Sequence, residues 1–124
     1  MPIYLLDSDV IINYFAKHQP AVSLITQISQ VEAPATTVLS VVEVKIGVKD
    51  AQMPKVERFF NALKIIPLDE EIVNLAVDLI RKFSKKGKVI HLVDACIAAT
   101  AMVNTMVLVT GNKKDYPMEE LKLL

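Results

Sequence analysis

Glycine is scarce in this 124-residue chain, with Gly47, Gly87 and Gly111 the only three. Neither G-x-G-x-x-G nor G-x-x-x-x-G-K-[ST] can be written with them, which excludes the usual dinucleotide and P-loop fingerprints. Cysteine is scarcer. Cys96 stands alone, so no internal disulfide forms and a reducing compartment is expected. An excess of one charge is missing too, because 14 Lys and Arg balance 14 Asp and Glu. That argues against nucleic-acid binding by bulk charge and leaves local basic patches open. No run reaches the roughly 20 apolar residues of a membrane span. The longest uncharged stretch, 95–111, carries Thr100, Asn104 and Thr105, and reads as a buried helix, a turn and a buried strand. The N-terminus has no basic segment and meets Asp7 at once, unlike a signal peptide. No membrane association and a cytoplasmic location are therefore expected.

Hydrophobic residues make up 52% of the chain, enough for a packed core and too many for disorder. At about 150 residues per domain, the length predicts one domain, 1–124. Elements alternate along it. Apolar strand-like runs lie at 3–6, 34–37, 65–68 and 106–109, with a short last one at 121–124. Between them, apolar residues recur at helical spacing: Val10, Ile11, Tyr14 and Phe15, then Val22, Ile25 and Ile28 after Pro20. Further helices are predicted from about Ser40 to Gly47, from Pro54 to Leu63, and from Asp94 to Val103. The strongest signal is Ile72, Leu75, Ala76, Leu79, Ile80 and Phe83, closed by lysines and Gly87. Short apolar strands alternating with amphipathic helices predict an α/β/α sandwich, a Rossmann-like parallel sheet of about five strands covered on both faces.

Ligands of such sheets bind outside the carboxyl ends of the strands, so the acids there are the place to look. Asp7 and Asp9 follow the first strand, Glu43 lies in the first turn of the helix after the second, and Asp115 lies in the loop after 106–109. Asp94 joins them if its helix begins at that edge. Each has an ordinary structural use. Asp7 suits a helix cap, Ser40-Val41-Val42-Glu43 is a capping box by pattern, Asp94 suits a first helical turn, and Asp115 a polar loop. Their joint placement favours a site. Clustered carboxylates repel unless a counter-ion joins them, and oxygen-only ligands suit Mg²⁺ or Mn²⁺. Zinc is disfavoured, since His18, His91 and Cys96 show no ligand spacing. Asp78, Glu57, Glu70, Glu71, Glu119 and Glu120 read as solvated faces.

Four segments resemble the motifs of PIN domains. They are Leu5-Leu6-Asp7-Ser8-Asp9-Val10, Ser40-Val41-Val42-Glu43-Val44 with Gly47-Val48, Asp94-Ala95-Cys96-Ile97-Ala98-Ala99-Thr100-Ala101, and Val109-Thr110-Gly111-Asn112-Lys113-Lys114-Asp115-Tyr116. Any one is weak, but all four in order across nearly the whole chain are specific, and the VapC-type toxins of toxin–antitoxin pairs are the most similar branch. The resemblance implies a metal-dependent ribonuclease in which Asp7, Glu43, Asp94 and Asp115 hold Mg²⁺ or Mn²⁺. Ser8, Thr110 and Asn112 become supporting polar groups of the catalytic site. Asp9 stands where many relatives have Asn, which makes it either a fifth acid or a group that only orients the loop; Gly111 stands where a bulkier, often basic residue is common, and Tyr116 where Phe is usual. The implied chemistry is hydrolysis of an RNA phosphodiester, with water attacking phosphorus and the 3′ oxygen leaving. An RNA substrate, a cognate antitoxin protein and a homodimer are the implied partners.

Several residues admit two uses. Residues 81–88 hold five basic side chains in eight and either track an RNA backbone or neutralise a helix C-terminus. Lys45, Lys49, Lys113 and Lys114 lie near the acids. Phe59, Phe60 and Leu63 suit an antitoxin groove, or more simply the core. Cys96 reads as a buried thiol and His91 as structural. Two other functional classes fit less well. A receiver-like phosphoacceptor domain would use Asp69 as a poorly matched acceptor. A non-catalytic RNA- or protein-binding module would not need all four acids.

Overall fold

Each short apolar run becomes a strand because its alternate side chains enter two different cores. In the computed structural model, which describes residues 2–124, the chain order is β1 (Tyr4–Leu6), α1 (Ser8–Phe15), α2 (Ala21–Val31), β2 (Ala35–Thr37), α3 (Val38–Ile46), α4 (Met53–Asn61), β3 (Lys64–Ile66), α5 (Glu70–Ser84), α6 (Leu92–Val103) and β4 (Val107–Val109). Short 3₁₀ turns occupy 50–52 and 113–115. The strands pair in parallel in the order β3-β2-β1-β4. Leu5 and Leu108 are opposite one another and enter one core with α5 and α6. Leu6 and Val109, one residue on, enter the other with α1 to α4. The doubly covered parallel sheet expected from the sequence is therefore present.

Two boundaries differ from the sequence reading. The expected fifth strand at 121–124 is reduced to a single parallel bridge, Leu108 to Leu123. A turn in which Leu121 N–H donates to Met118 C=O leaves only the following residues alongside β4. Four strands remain among the described residues. In addition, α3 starts at Val38 and not near Ser40. Thr37 is its cap, accepting the Ser40 N–H at 3.0 Å through its hydroxyl. The chain passes from strand to helix without a loop, so the pattern at Ser40–Glu43 is not a capping box. Glu43 moves into the second turn.

Several further local expectations agree with the structure. Pro67 ends β3, the edge strand. Asp69 caps α5, accepting the Ile72 N–H at 2.9 Å, so it is no phosphoacceptor pocket. Gly87 takes the left-handed conformation after α5 (φ 78°), where a side chain is disfavoured, and reverses the chain toward α6. Phe60 is core, Phe59 stacks with Tyr14 and Phe15 at its margin, and Cys96 is a buried free thiol whose pKa is raised by that burial. No helix among the described residues is long and apolar enough to cross a membrane. Leu5 is fully buried in a central strand. Leu5→Ala should therefore lower the unfolding free energy by about 3 kcal/mol in urea titration. Val31→Ala, on an exposed side chain, should change it by less than about 0.5 kcal/mol.

Candidate active site

Parallel pairing brings every strand's carboxyl end to one edge, and three of the expected acids meet there. Asp7 is the centre. It is 7% exposed and caps α1 by accepting the Ser8 N–H on Oδ1 at 2.7 Å. Its Oδ2 accepts the Thr110 hydroxyl at 2.8 Å and the Tyr116 hydroxyl at 2.9 Å. The same Tyr116 oxygen lies 3.3 Å from Asp94 Oδ1, in the first turn of α6. A phenol has one proton for these two acceptors, so the shorter contact takes it and Asp94 is the less satisfied. Burial raises the Asp94 pKa first, and the charges of Asp7 and Asp115 raise it further. Asp115 shares with Asp94 the lining of a small cavity of about 130 Å³.

Glu43 reaches the same edge from α3, but it is exposed and stands to one side. Its Oε1 accepts the Ser8 hydroxyl at 2.5 Å, and Ser8 Oγ also lies 3.0 Å from Ser40 Oγ. Ser8 thus ties the cap of α1 to Glu43. Thr110 does the equivalent work on the other flank. It holds Asp7 with its hydroxyl while that oxygen accepts the Asn112 N–H at 3.0 Å. Asn112 contributes this backbone contact, and its side chain makes no hydrogen bond to the acids among the described residues. The acids expected on solvated faces need no role in the site: Glu57 and Glu120 form only long, exposed ion pairs with Lys45 and Lys82, each at 3.8 Å.

Two features of the site go beyond the four expected acids. The Tyr116 hydroxyl is the first, a bridge between two acids that the usual Phe lacks. Its own pKa is driven up by burial and by the Asp7 and Asp94 charges. The second is an interlock of Asp9 with Gly111. Asp9 Oδ2 accepts the Gly111 N–H at 2.9 Å. A Cβ at Gly111 would fall 2.6 Å from that oxygen. The carboxylate therefore occupies the space a larger residue would take, which accounts for glycine at 111. Asp9 Oδ1 is buried with no hydrogen-bond partner, and burial followed by the Asp7 charge raises the Asp9 pKa.

Does this set suit a hard divalent cation? All the donors are carboxylate oxygens, two of them have pKa values raised partly by neighbouring carboxylates, and one buried acceptor is unpaired. That is the donor chemistry of Mg²⁺ or Mn²⁺. No three His, Cys, Asp or Glu side chains among the described residues already form a ligand group, so the carboxylates would have to draw in around an ion.

An acidic pocket at the carboxyl edge of a doubly covered parallel sheet defines the class: an α/β protein of Rossmann-like architecture. The particular family follows from sequence: the PIN domain model matches residues 4–120, and the chain belongs to that family. It is 32% identical to Ribonuclease VapC10 of Mycobacterium tuberculosis over 95% of this chain and 90% of that protein. It is 30% identical to Ribonuclease VapC1 of Methanocaldococcus jannaschii over 95% of this chain and 80% of that one. In fold it matches VapBC2 of Rickettsia felis, solved bound to a DNA fragment from its promoter, with a TM-score of 0.86 and 22% identity, covering 98% of this chain and 97% of that.

Two measurements test the site's construction. Gly111→Ala should destabilise the protein by about 1–2 kcal/mol through overpacking, and adding Asp9→Ala should restore at least half of that in a double-mutant cycle. The second concerns charge. Because the native Asp94 pKa lies above its unfolded value, the native state holds the extra proton. Stability is present below the unfolded pKa and falls as pH rises through the raised one. At neutral pH, Asp94→Asn should therefore raise the melting temperature of the metal-free protein by about 2–5 °C, with no such gain at pH values below both pKa values.

Proposed function

We propose that this protein is a metal-dependent endoribonuclease and the toxin of a toxin–antitoxin pair. The observation that carries the reading is Asp7 and Asp94 bridged by one buried hydroxyl, with Asp115 against Asp94, at the carboxyl edge of the sheet. The relatives named ribonucleases and the toxin–antitoxin complexes of the same fold support it.

Asp7, Asp94 and Asp115 would hold Mg²⁺ or Mn²⁺, with Glu43 completing the set from α3. A divalent cation there supplies a more acidic water and neutralises charge on the phosphate. The chain's own residues do the positioning. Thr110 and Tyr116 fix Asp7 Oδ2, Asp7 Oδ1 remains tied to the start of α1, and Ser8 orients Glu43. These contacts leave little freedom to the Asp7 carboxylate, as transition-state stabilisation requires. Water adds to phosphorus, the bond to the 3′ oxygen breaks, and the products are a 5′ phosphate and a 3′ hydroxyl.

An antitoxin partner has a suitable seat. A groove of about 630 Å³ is lined by Ile12, Phe15, Val44, Val48 and Val56 and opens on Glu43. An apolar helix face laid there would carry its flanking chain to the acids. The expected aromatic candidates are not this groove: Phe60 is core. A homodimer and a cytoplasmic setting belong to the same proposal.

The test is cleavage of a mixed tRNA and rRNA pool by the purified, antitoxin-free protein. Cutting is expected with Mg²⁺ or Mn²⁺, none in EDTA, and at least about 100-fold less with Asp94→Asn. If folded protein cuts no RNA in a wider pool with either metal, the binding-module reading replaces this one.

A further inference from the structure

We propose that the small cavity beside Asp94 and Asp115 is a phosphate subsite for single-stranded RNA, gripped by Lys88 and Lys114 and flanked by an apolar shelf of Val89 and Leu92. It rests on the ribonuclease reading above and adds to it where the strand lies.

The cavity of about 130 Å³ is lined by Lys88, Val89, His91, Asp94, Lys114 and Asp115, among others. It is too small for a nucleoside and large enough for a phosphate-sized group. The two lysines arrive from different elements, Lys88 from the turn after α5 and Lys114 from the 3₁₀ turn at 113–115. Two lysines that line one opening offer it positive charge that an anion would balance. Asp94 and Asp115 line the same opening, yet no ion pair of either lysine with any carboxylate is found among the described residues. Three lysines elsewhere are paired, Lys45 with Glu57, Lys64 with Glu32 and Lys82 with Glu120; what sets Lys88 and Lys114 apart is that they line one opening beside the acids. Carboxylates that gather a cation and ammonium groups left open to an anion, side by side, match a backbone that runs from one phosphate to the next.

The rim adds a second chemistry. Val89 is 79% exposed and Leu92 68% exposed, while Ile90 between them is buried and anchors the segment. Isolated exposed aliphatics are ordinary, but Val89 lines the phosphate-sized opening, and Leu92 directly follows His91, another of its lining residues. A ribose or base attached to the bound phosphate would cover them. Lys85 and Lys86, also exposed, continue the positive surface along the turn, and Lys86 Nζ stands 5.4 Å from the Phe83 ring centroid.

The experiment measures binding of a fluorescein-labelled mixed-sequence single-stranded RNA by anisotropy across a salt series. The host is full-length Asp94→Asn protein without metal, so that no RNA is cut. Replacing both Lys88 and Lys114 with Gln should flatten the slope of log affinity against log salt by about 0.7, the share of the single phosphate the subsite holds. Val89→Ser with Leu92→Ser should weaken binding about fivefold with the slope unchanged, because apolar contacts release no counter-ions. Replacing Lys17 and Lys122, which do not line the cavity, should leave the slope as it was. If the Lys88 and Lys114 variant keeps both slope and affinity while the parent protein cuts RNA, the subsite is wrong and the ribonuclease reading stands. The mouth would then suit an acidic protein segment instead. If the parent neither cuts nor binds RNA, the ribonuclease reading fails with it.

Discussion

Repulsion among carboxylates is the constraint around which this protein is built. Asp7 and Asp115 stand close enough to Asp94, at one edge of the sheet, for their charges to add to the rise that burial gives its pKa. The structure manages that repulsion with neutral donors in place of cations. Thr110 and Tyr116 hydroxyls satisfy Asp7, and the Ser8 N–H turns the same carboxylate into a helix cap. Filling these sites with Lys or Arg would relieve the repulsion and also occupy the place of a metal ion. Hydroxyls hold the acids in position and leave their charge available. The raised pKa of Asp94 reflects its burial first, and then the repulsion that the hydroxyls do not remove.

The scaffold makes this arrangement stiff. β1 is flanked by β2 and β4, and its side chains go alternately into two cores. The Asp7 backbone is held directly as well, its N–H donating to Val109 C=O at 3.0 Å. A shift of Asp7 would thus disturb the strand register and both cores together. The loop carrying Thr110 and Asp115 is tied back by the Asp9 contact to Gly111. A side chain at Gly111 would meet Asp9, so the two positions are sterically coupled.

Charge is divided across the face that results. The acids converge at the sheet edge, and Lys88 and Lys114 stand beside them, unpaired among the described residues. A net charge of zero therefore conceals a local separation of sign. The apolar groove near Glu43 lies on the other flank, among α1, α3 and α4. One edge of the sheet consequently presents an acidic centre between a basic mouth and an apolar groove. Affinity for a nucleic acid would come from the mouth, and for a helical protein partner from the groove.

The sequence alone determined the alternation of elements, since period-two and period-3.6 burial are written in the spacing of Leu5, Leu6, Leu108 and Val109 and of Ile72, Ala76, Leu79 and Phe83. It determined the acids too, because Asp7, Glu43, Asp94 and Asp115 sit at strand ends or in early helical turns within recognisable motifs. Local signals misplaced two boundaries. Ser40–Glu43 has the pattern of a capping box, but Thr37, the last residue of β2, takes the cap by bonding the Ser40 N–H. Leu121–Leu124 is apolar enough for a strand, but the turn at Met118–Leu121 leaves room for one bridge. Tertiary structure alone decided that the Tyr116 hydroxyl joins Asp7 to Asp94, residues 109 and 22 positions away. It also decided that Asp9 fills the space beside Gly111. These contacts span distant parts of the chain, and no periodicity or cap rule reaches across them: they exist only once the parallel sheet has brought its strand ends to a common edge.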